Sequence, residues 1–368
     1  MWLCGHPPRE VDLEVSLPEG PHFAWLDPGD PRWDAVLARL DHDVYHTPGY
    51  LRSVRETDGG EAVALWIHDD TGELLVPLLI RAVPGAPGVH DATSPYGYPG
   101  PLWRGAGSRR HWQTFLRACR ARGLVSVFLR LHPFLESAAP RQEMPGEQVG
   151  HGNAYVIDLA LPEGEYQARL RKDHRKRIRH LREAGFRTVF DDWSYFGAFV
   201  ELYRQTMCRV GADPYYHFGR RYFETLRAEL GDSLHLCTVL DARDRVVCAG
   251  VLLGRGRIIH HHLGGVADRG GGAAQNPTRL LDADSRRHFA GLGFSLMNLG
   301  GGLGGADGPL AHYKRGFSTG AHPYLTARIV VDEGRYRRLA RGVETPFFPA
   351  YRDPSRAWSP VPGDDELV

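Results

Sequence analysis

Residues 294–317, FSLMNLGGGLGGADGPLAHYKRGF, combine the groups needed to hold a negatively charged oxygen: a glycine run at 300–305 and a basic pair, Lys314 and Arg315, behind Tyr313. Glycines this dense let backbone N–H groups come close to a ligand and adopt positive φ. A lysine presented beside them can steady a negative oxygen. The same letters also compose an ordinary loop. The pattern predicts a buried strand (FSLMNL), a glycine hairpin or loop, a polar turn at 306–308, and the basic pair closing on Phe317.

Three further clusters carry chemistry-bearing side chains. Residues 170–183, LRKDHRKRIRHLRE, form a basic helix in which Arg171, Arg175, Arg179 and Arg182 share one face at about 100° per residue, with Lys172 and Lys176 beside them. Leu170, Ile178 and Leu181 leave only a narrow apolar stripe, so the helix is either a solvated face or a phosphate-binding surface built on arginine forks. The loop Arg269-Gly270-Gly271-Gly272-Ala273-Ala274, ahead of a helix beginning near Pro277, offers amides and a helix N-terminus to an anion. It also fits R-x-x-G-x-A, the pyrophosphate loop of acyl-CoA-dependent acetyltransferases. His260, His261 and His262 lie in a strand, with His260 and His262 on one face. No Asp, Glu or Cys stands near them at ligand spacing, so they read as cleft or sheet-surface histidines, with no metal site.

The elements that position these groups alternate between helix and strand. The first half reads as helices at 31–40 and 43–57, strands at 61–70 and 72–83 joined by Asp-Asp-Thr-Gly, an irregular Tyr/Pro segment at 91–103, a helix at 111–123 and a strand at 124–134. A polar, proline-bearing stretch at 136–152 reads as a linker. The second half repeats the order: strand 155–159, the basic helix, strand 186–190, helices at 193–211 and 217–230, three meander strands over 233–266, a helix, the strand before the glycines, and a last strand at 321–332. The expected fold is mixed α/β, with two similar domains facing a shared cleft, at residues 1–150 and 151–345, then a tail at 346–368.

Composition narrows the class. The 368 residues suit two cores. With 45 Lys+Arg against 44 Asp+Glu, any basic surface is local. Cysteines at 4, 119, 208, 237 and 248 are odd in number and include no C-x-x-C pair, which argues for a reducing compartment. Neither a secretory leader nor an apolar run of about 18 residues occurs, so a cytoplasmic location is expected. No G-x-S-x-G, Walker loop or H-E-x-x-H is present, which removes the common hydrolase and nucleotide-hydrolysing classes.

Several segments together resemble the Fem-like branch of the GNAT superfamily of N-acyltransferases. They are KDHRKRIRHLREAGF at 172–186, YRQTMCRVGADPYYHFGRRYFETL at 203–226, VVCAGVLL at 246–253, NPTRLLDADSRRHFA at 276–290, LMNLGGG at 296–302 and YKRGFS at 313–318. The likeness covers residues 155–335, and residues 30–135 by layout alone. It implies two tandem GNAT-like domains and transfer of an amino acid from aminoacyl-tRNA to an amine, with amide bond formation and no cofactor. In that family the closing pattern is Phe-Lys-x-x-Phe-Gly, whose lysine is implicated in stabilising the transferring carbonyl. It maps onto Lys314, with Phe317 in place, Tyr313 for the first phenylalanine and Ser318 for the glycine. Arg209 matches an arginine that meets acceptor or tRNA phosphate, and Arg52 and Arg55 lie where the first domain grips a nucleotide-linked acceptor.

An aminoacyl ester is already activated, so an amine needs positioning and oxyanion stabilisation rather than a protein nucleophile. In this reading Lys314 faces the oxyanion, and Tyr313, Phe317, Gly301 and Gly302 shape its surroundings. Arg171, Lys172, Arg175, Lys176 and Arg179 hold phosphate of tRNA, and Tyr96 and Tyr98 wall the acceptor. The acceptor is a peptidoglycan precursor or a natural-product amine, as in antibiotic biosynthesis. Two alternatives stay open: an acyl-CoA donor held by Arg269, Gly270 and Gly272, and a binding module that has lost turnover.

Overall fold

The computed structural model describes residues 20–268, 276–302 and 307–354. Their strands build one mixed, 13-stranded sheet. In the first half, β1 (His22–Leu26), α1 (Pro31–Leu37) and α2 (Pro48–Asp58) precede β2 (Glu61–Asp69), β3 (Gly72–Ala82), β4 (His90–Thr93) and β5 (Leu102–Gly105), then α3 (Arg109–Ala121) and β6 (Leu124–Arg130). In the second half come β7 (Glu147–Asp158), α4 (Glu163–Arg169), α5 (Lys172–Glu183), β8 (Arg187–Phe190), α6 (Phe196–Val210) and α7 (Arg220–Leu230). They are followed by β9 (Leu234–Leu240), β10 (Val246–Arg255), β11 (Ile258–Val266), α8 (Thr278–Gly291), β12 (Leu296–Gly300), α9 (Pro309–Arg315), β13 (Gly320–Val330) and α10 (Glu333–Ala340).

The duplication expected from element order is visible in the pairing. Strands β1-β2-β3-β4-β6 and β8-β9-β10-β11-β12 follow the same path, and each series ends in a parallel pair, β4 with β6 and β11 with β12. Between the two series lie β13 and β7, so the order across the middle is β6-β13-β7-β12. One face of the sheet carries α1, α2, α6 and α7 over a single apolar core that mixes Trp33, Tyr45 and Leu51 of the first half with Phe199, Tyr203 and Phe223 of the second. The opposite face is covered separately, by α3 in the first half and by α5 and α8 in the second. Helices α2 and α7 meet closely: a Cβ on Gly49 would stand 2.7 Å from the Glu229 carbonyl oxygen. Arg52 binds Glu229 at 2.7 Å beside it. Arg52 is therefore a strut between the halves, a correction to its placement as an acceptor-gripping residue.

Local chemistry accounts for the element ends. Asp30 caps α1 by accepting from the Arg32 amide, with Pro31 in the first turn. Gly211, left-handed at φ 59°, ends α6.

Three expectations are corrected. The stretch read as a linker becomes β7 from Glu147, because pairing with β13 on one side satisfies its polar backbone. The irregular 91–103 segment contributes most of β4 and the start of β5. Residues 309–315, read as loop and turn, form α9. The described part of the tail packs on the first half: Tyr351 shares a hydrogen bond with Ser126 at 2.7 Å and Arg352 pairs with Asp91.

Candidate active site

Strands β11 and β12 run parallel for only three residue pairs, from Ile258 opposite Leu296 to His260 opposite Asn298. Beyond that point β11 stays with β10 as far as Val266, while β12 goes with β7 and turns at Gly300, φ 75°. The strands splay, and the edge of β11 past His260 has no strand beside it among the described residues. A bulge adds to the divergence: Val251 faces Leu263 and Leu252 faces His261, leaving His262 as an extra residue.

Lys314 reaches this vertex from α9. Its ammonium donates to the Gly301 carbonyl at 2.8 Å. A Cβ built on Gly300 would lie 3.2 Å from Lys314 Nζ and 3.7 Å from Tyr98 Oη, so the bare glycine leaves room where a cation and a phenol converge. Burial lowers the Lys314 pKa to about 8, opposed by the charge of Asp282. The ammonium is thus held in a poorly hydrated position, where its field on a nearby oxygen is strong.

The basic helix supplies the footing of α9. Its inward His174 is fully buried, stacks on Phe317 at 4.3 Å and touches Tyr313 edge-on. Its Nε2 lies 3.1 Å from the Tyr313 carbonyl oxygen, and Arg279 donates to its Nδ1 at 2.6 Å. Burial, then the Arg279 charge, lower the His174 pKa to about 4. The Tyr313 hydroxyl donates to Asp282 on α8 at 2.7 Å, and the same carboxylate faces His261 Nδ1 at 3.1 Å. Tyr313 and Phe317 therefore lock the helix that carries Lys314; Phe317, at 1% exposure, lines no cleft.

The phosphate-binding candidates separate. Arg171 is engaged by Asp173 at 2.7 Å and by His312, Arg175 donates to the Gln167 carbonyl, and Arg179 lies 3.7 Å from Glu183. Lys172 and Lys176 are exposed, without a hydrogen-bond or ion-pair partner among the described residues. Arg209 does not reach the vertex; it donates to the Val266 carbonyl at 2.9 Å and pins the far end of β11. Arg269, Gly270 and Gly272 lie outside the described residues. Gly301 and Gly302 form the turn beside Lys314, and a Cβ on Gly301 would press on the Asn153 carbonyl at 3.0 Å.

Tyr96 and Tyr98 face the splay from the first half. Tyr98 stacks on His260 at 5.8 Å and meets Tyr324 edge-on at 5.4 Å, while Tyr96 meets Tyr216 and His262 at 5.9 and 5.4 Å. Burial raises both phenol pKa values, so both rings stay neutral.

Beneath the tyrosines lies a buried charge centre that the sequence reading missed. Asp43, in the turn before α2, accepts from His132 Nε2 at 2.7 Å and His260 Nε2 at 2.8 Å through Oδ2, and from the Tyr45 amide at 2.9 Å through Oδ1. His46 presents Nδ1 to Asp43 Oδ1 at 2.9 Å, closer than the 3.3 Å approach of the Asp43 amide, and Nε2 to the Gly100 carbonyl at 3.1 Å. His46 thus closes the cluster on a third side of the carboxylate, tied to it by side chain and backbone. Burial alone would raise the Asp43 pKa, but His132, His260 and His46 more than reverse that and hold it well below the usual carboxylate range.

Asp43, His132 and His260 bring one ligand atom each within 4.8 Å, a grouping that could suit a cation. The protons decide otherwise. His132 Nδ1 accepts the amides of Phe134 and Leu135 at 3.1 and 3.2 Å, and His260 Nδ1 accepts from Asn298 Nδ2 at 3.0 Å. Each Nε2 therefore carries its hydrogen toward Asp43 and has no lone pair for a metal.

Burial lowers the His132 pKa to about 4 and that of His262 to about 3. Unfolded imidazoles take up protons near about 6.5. Between there and about 4 the unfolded chain binds more protons, so stability falls as pH falls, by about 1.4 kcal/mol per pH unit for each site. Melting temperatures recorded from pH 7 to 4.5 should drop steadily; a flat profile would contradict the neutral, buried assignment.

Residues 168–315, which include Lys314, match the family model described as an acetyltransferase (GNAT) domain. The matched span lies within the second half of the chain. Solved structures extend the likeness over both halves. FemX is 12% identical and superposes at a TM-score of 0.62 over 83% of this chain and 97% of its own. The L-PGS of Bacillus licheniformis gives 11% and 0.53 over 82% and 92%. The C-terminal domain of a putative lysylphosphatidylglycerol synthetase from Agrobacterium fabrum gives 13% and 0.51 over 81% and 90%. At these identities what is shared is the fold alone. No curated protein sequence matches the chain.

Proposed function

We propose that the protein is an aminoacyltransferase that moves an aminoacyl group from aminoacyl-tRNA onto an amine, a peptidoglycan precursor or a natural-product intermediate, and forms an amide. The observation that carries this reading is the Lys314 ammonium, held with Tyr98 at the open end of the β11–β12 splay. The amine attacks the ester carbonyl carbon, and the carbonyl oxygen becomes anionic beside Lys314. The tetrahedral adduct collapses with loss of the ribose hydroxyl, which takes up a proton while the amine gives one up. Positioning and oxyanion stabilisation suffice for such a step, so no cofactor is invoked. Lys172 and Lys176 are the residues free to meet tRNA phosphate, and Tyr96 and Tyr98 wall the acceptor. No helix among the described residues is long and apolar enough to cross a membrane, and we place the reaction in the cytoplasm.

A second reading, an acyl-CoA donor, is favoured by the match to an acetyltransferase domain. Labelled amino acids on a total charged tRNA pool, offered with candidate amines, discriminate between them. Transfer abolished by ribonuclease supports the tRNA donor. No transfer, with acetyl-CoA consumed and free thiol released, overturns it in favour of CoA.

A further inference from the structure

Three hydrogen bonds, the backbone of Gly300 and Gly301, and a fourth hydrogen bond join the buried Asp43 of the first half to Lys314 of the second. Asp43 Oδ2 accepts from His260 Nε2 at 2.8 Å. His260 Nδ1 accepts from Asn298 Nδ2 at 3.0 Å. Asn298 Oδ1 accepts from the Gly300 amide at 2.8 Å, and the Gly301 carbonyl accepts from Lys314 Nζ at 2.8 Å. Every donor and acceptor is used in one sense. The Gly300 amide fixes which atom of the Asn298 side chain is oxygen, the asparagine NH₂ then fixes the His260 tautomer, and that tautomer must donate to Asp43.

We infer that Asp43, His260 and Asn298 are positioning residues for Lys314: they hold the Gly300 turn so that the Gly301 carbonyl faces the ammonium and keeps it aimed at the splay. The inference rests on the reading of Lys314 as the oxyanion-binding group. Three observations set this chain apart from ordinary core satisfaction. Asn298 is 2% exposed and His260 1%, so neither can exchange its partner for solvent. Gly300 sits at φ 75°, a conformation the backbone adopts here with the Asn298 cap on its amide. The chain also begins in one half and ends in the other, at the only three-residue stretch where β11 and β12 pair.

The test reads Lys314 itself. Competitive labelling of the full-length protein with acetic anhydride at a series of pH values, followed by mass spectrometry of the peptide that contains Lys314, gives the midpoint of its amine. That amine is faced by Asp282 from α8, by the phenol of Tyr98 and by the Gly301 carbonyl. Loss of a well-aimed carbonyl removes an acceptor from the ammonium and favours the neutral amine, so Asn298→Ala should lower the midpoint by about one pH unit. His260→Ala should act in the same direction, and His260→Gln, with one donor and one acceptor in its amide, should restore much of it. In the transfer assay kcat should fall about tenfold in the two alanine variants, with KM for either substrate little changed. A midpoint equal to wild type in both alanine variants overturns the inference, and should one of them fail to fold, the other decides. A lowered midpoint in an enzyme that transfers nothing, wild type included, would instead leave the positioning intact and sink the proposed function.

Discussion

Lys314→Met should leave the protein folded and reduce kcat about 100- to 1,000-fold, the range found when one donor to a developing oxyanion is removed. The side chain makes one hydrogen bond, to the Gly301 carbonyl, and belongs to none of the apolar clusters, so its loss has little to destabilise. Its contribution is made to the transition state, and KM should change far less than kcat. Lys314→Arg should recover only part of the rate, because a planar fork cannot occupy the place of a compact ammonium beside Gly300. The charge state gives a second signature. The protonated amine is the active form and its pKa is about 8, so wild-type kcat should fall as pH rises through that value. This alkaline limb should vanish in Lys314→Met. A variant that keeps kcat within a few-fold of wild type, with the limb intact, would show that another group meets the oxyanion.

Asp43→Ala should cost about 3–5 kcal/mol of stability, because several buried donors lose their acceptor at about 1–3 kcal/mol each. The carboxylate has no exposure, and its removal strands the Tyr45 amide and the Nε2–H groups of His132 and His260. Asp43→Asn keeps the shape and one acceptor oxygen but turns an NH₂ donor toward groups that themselves donate, so it should fall between wild type and alanine. Urea unfolding followed by tryptophan fluorescence measures both, and because one core contains Trp33, whose indole donates to the His46 carbonyl, as well as Phe199 and Phe223, a single transition is expected. A cost below about 1 kcal/mol would place Asp43→Ala among ordinary substitutions and refute the charge centre.

The parts of this arrangement that were legible in the sequence are those written in neighbouring residues. The apolar runs at 61–70 and 72–83 and the meander at 233–266 gave their strands, and the order of elements gave the duplication. Lys314 stood out because glycines and a basic pair are adjacent. Helix α9 did not, because a seven-residue helix flanked by Gly308 and Gly316 has the composition of a turn. Strand β7 carries Gln148, His151 and Asn153 where a buried strand would be apolar; it is a strand because β13 pairs with it, a fact held 160 or more residues away. Asp43 was invisible for the same reason. The histidines at 260–262 were noticed, but the acid that defines them lies 217 positions upstream, inside a stretch that reads as turn and helix. What signal existed was the survival of Asp43, His46 and His132 next to runs of large apolar residues, where a polar side chain implies a partner. On the basic helix, periodicity correctly placed the arginines on its surface but could not show that Arg171, Arg175 and Arg179 are occupied by the protein itself.

The placement of β13 also bears on how the molecule is made. Val330 of β13 pairs with Ser126 of β6, and the same strand lies against β7 on its other side. During synthesis from the N-terminus, β6 therefore has an open edge until about two hundred more residues have emerged, and the sheet is sealed only by nearly the last segment described. Such long-range closure is slow and leaves unpaired strand edges exposed to other chains. A nascent first half has every reason to recruit a chaperone, and a ribosome stalled before residue 320 releases a chain with a ready site for aggregation.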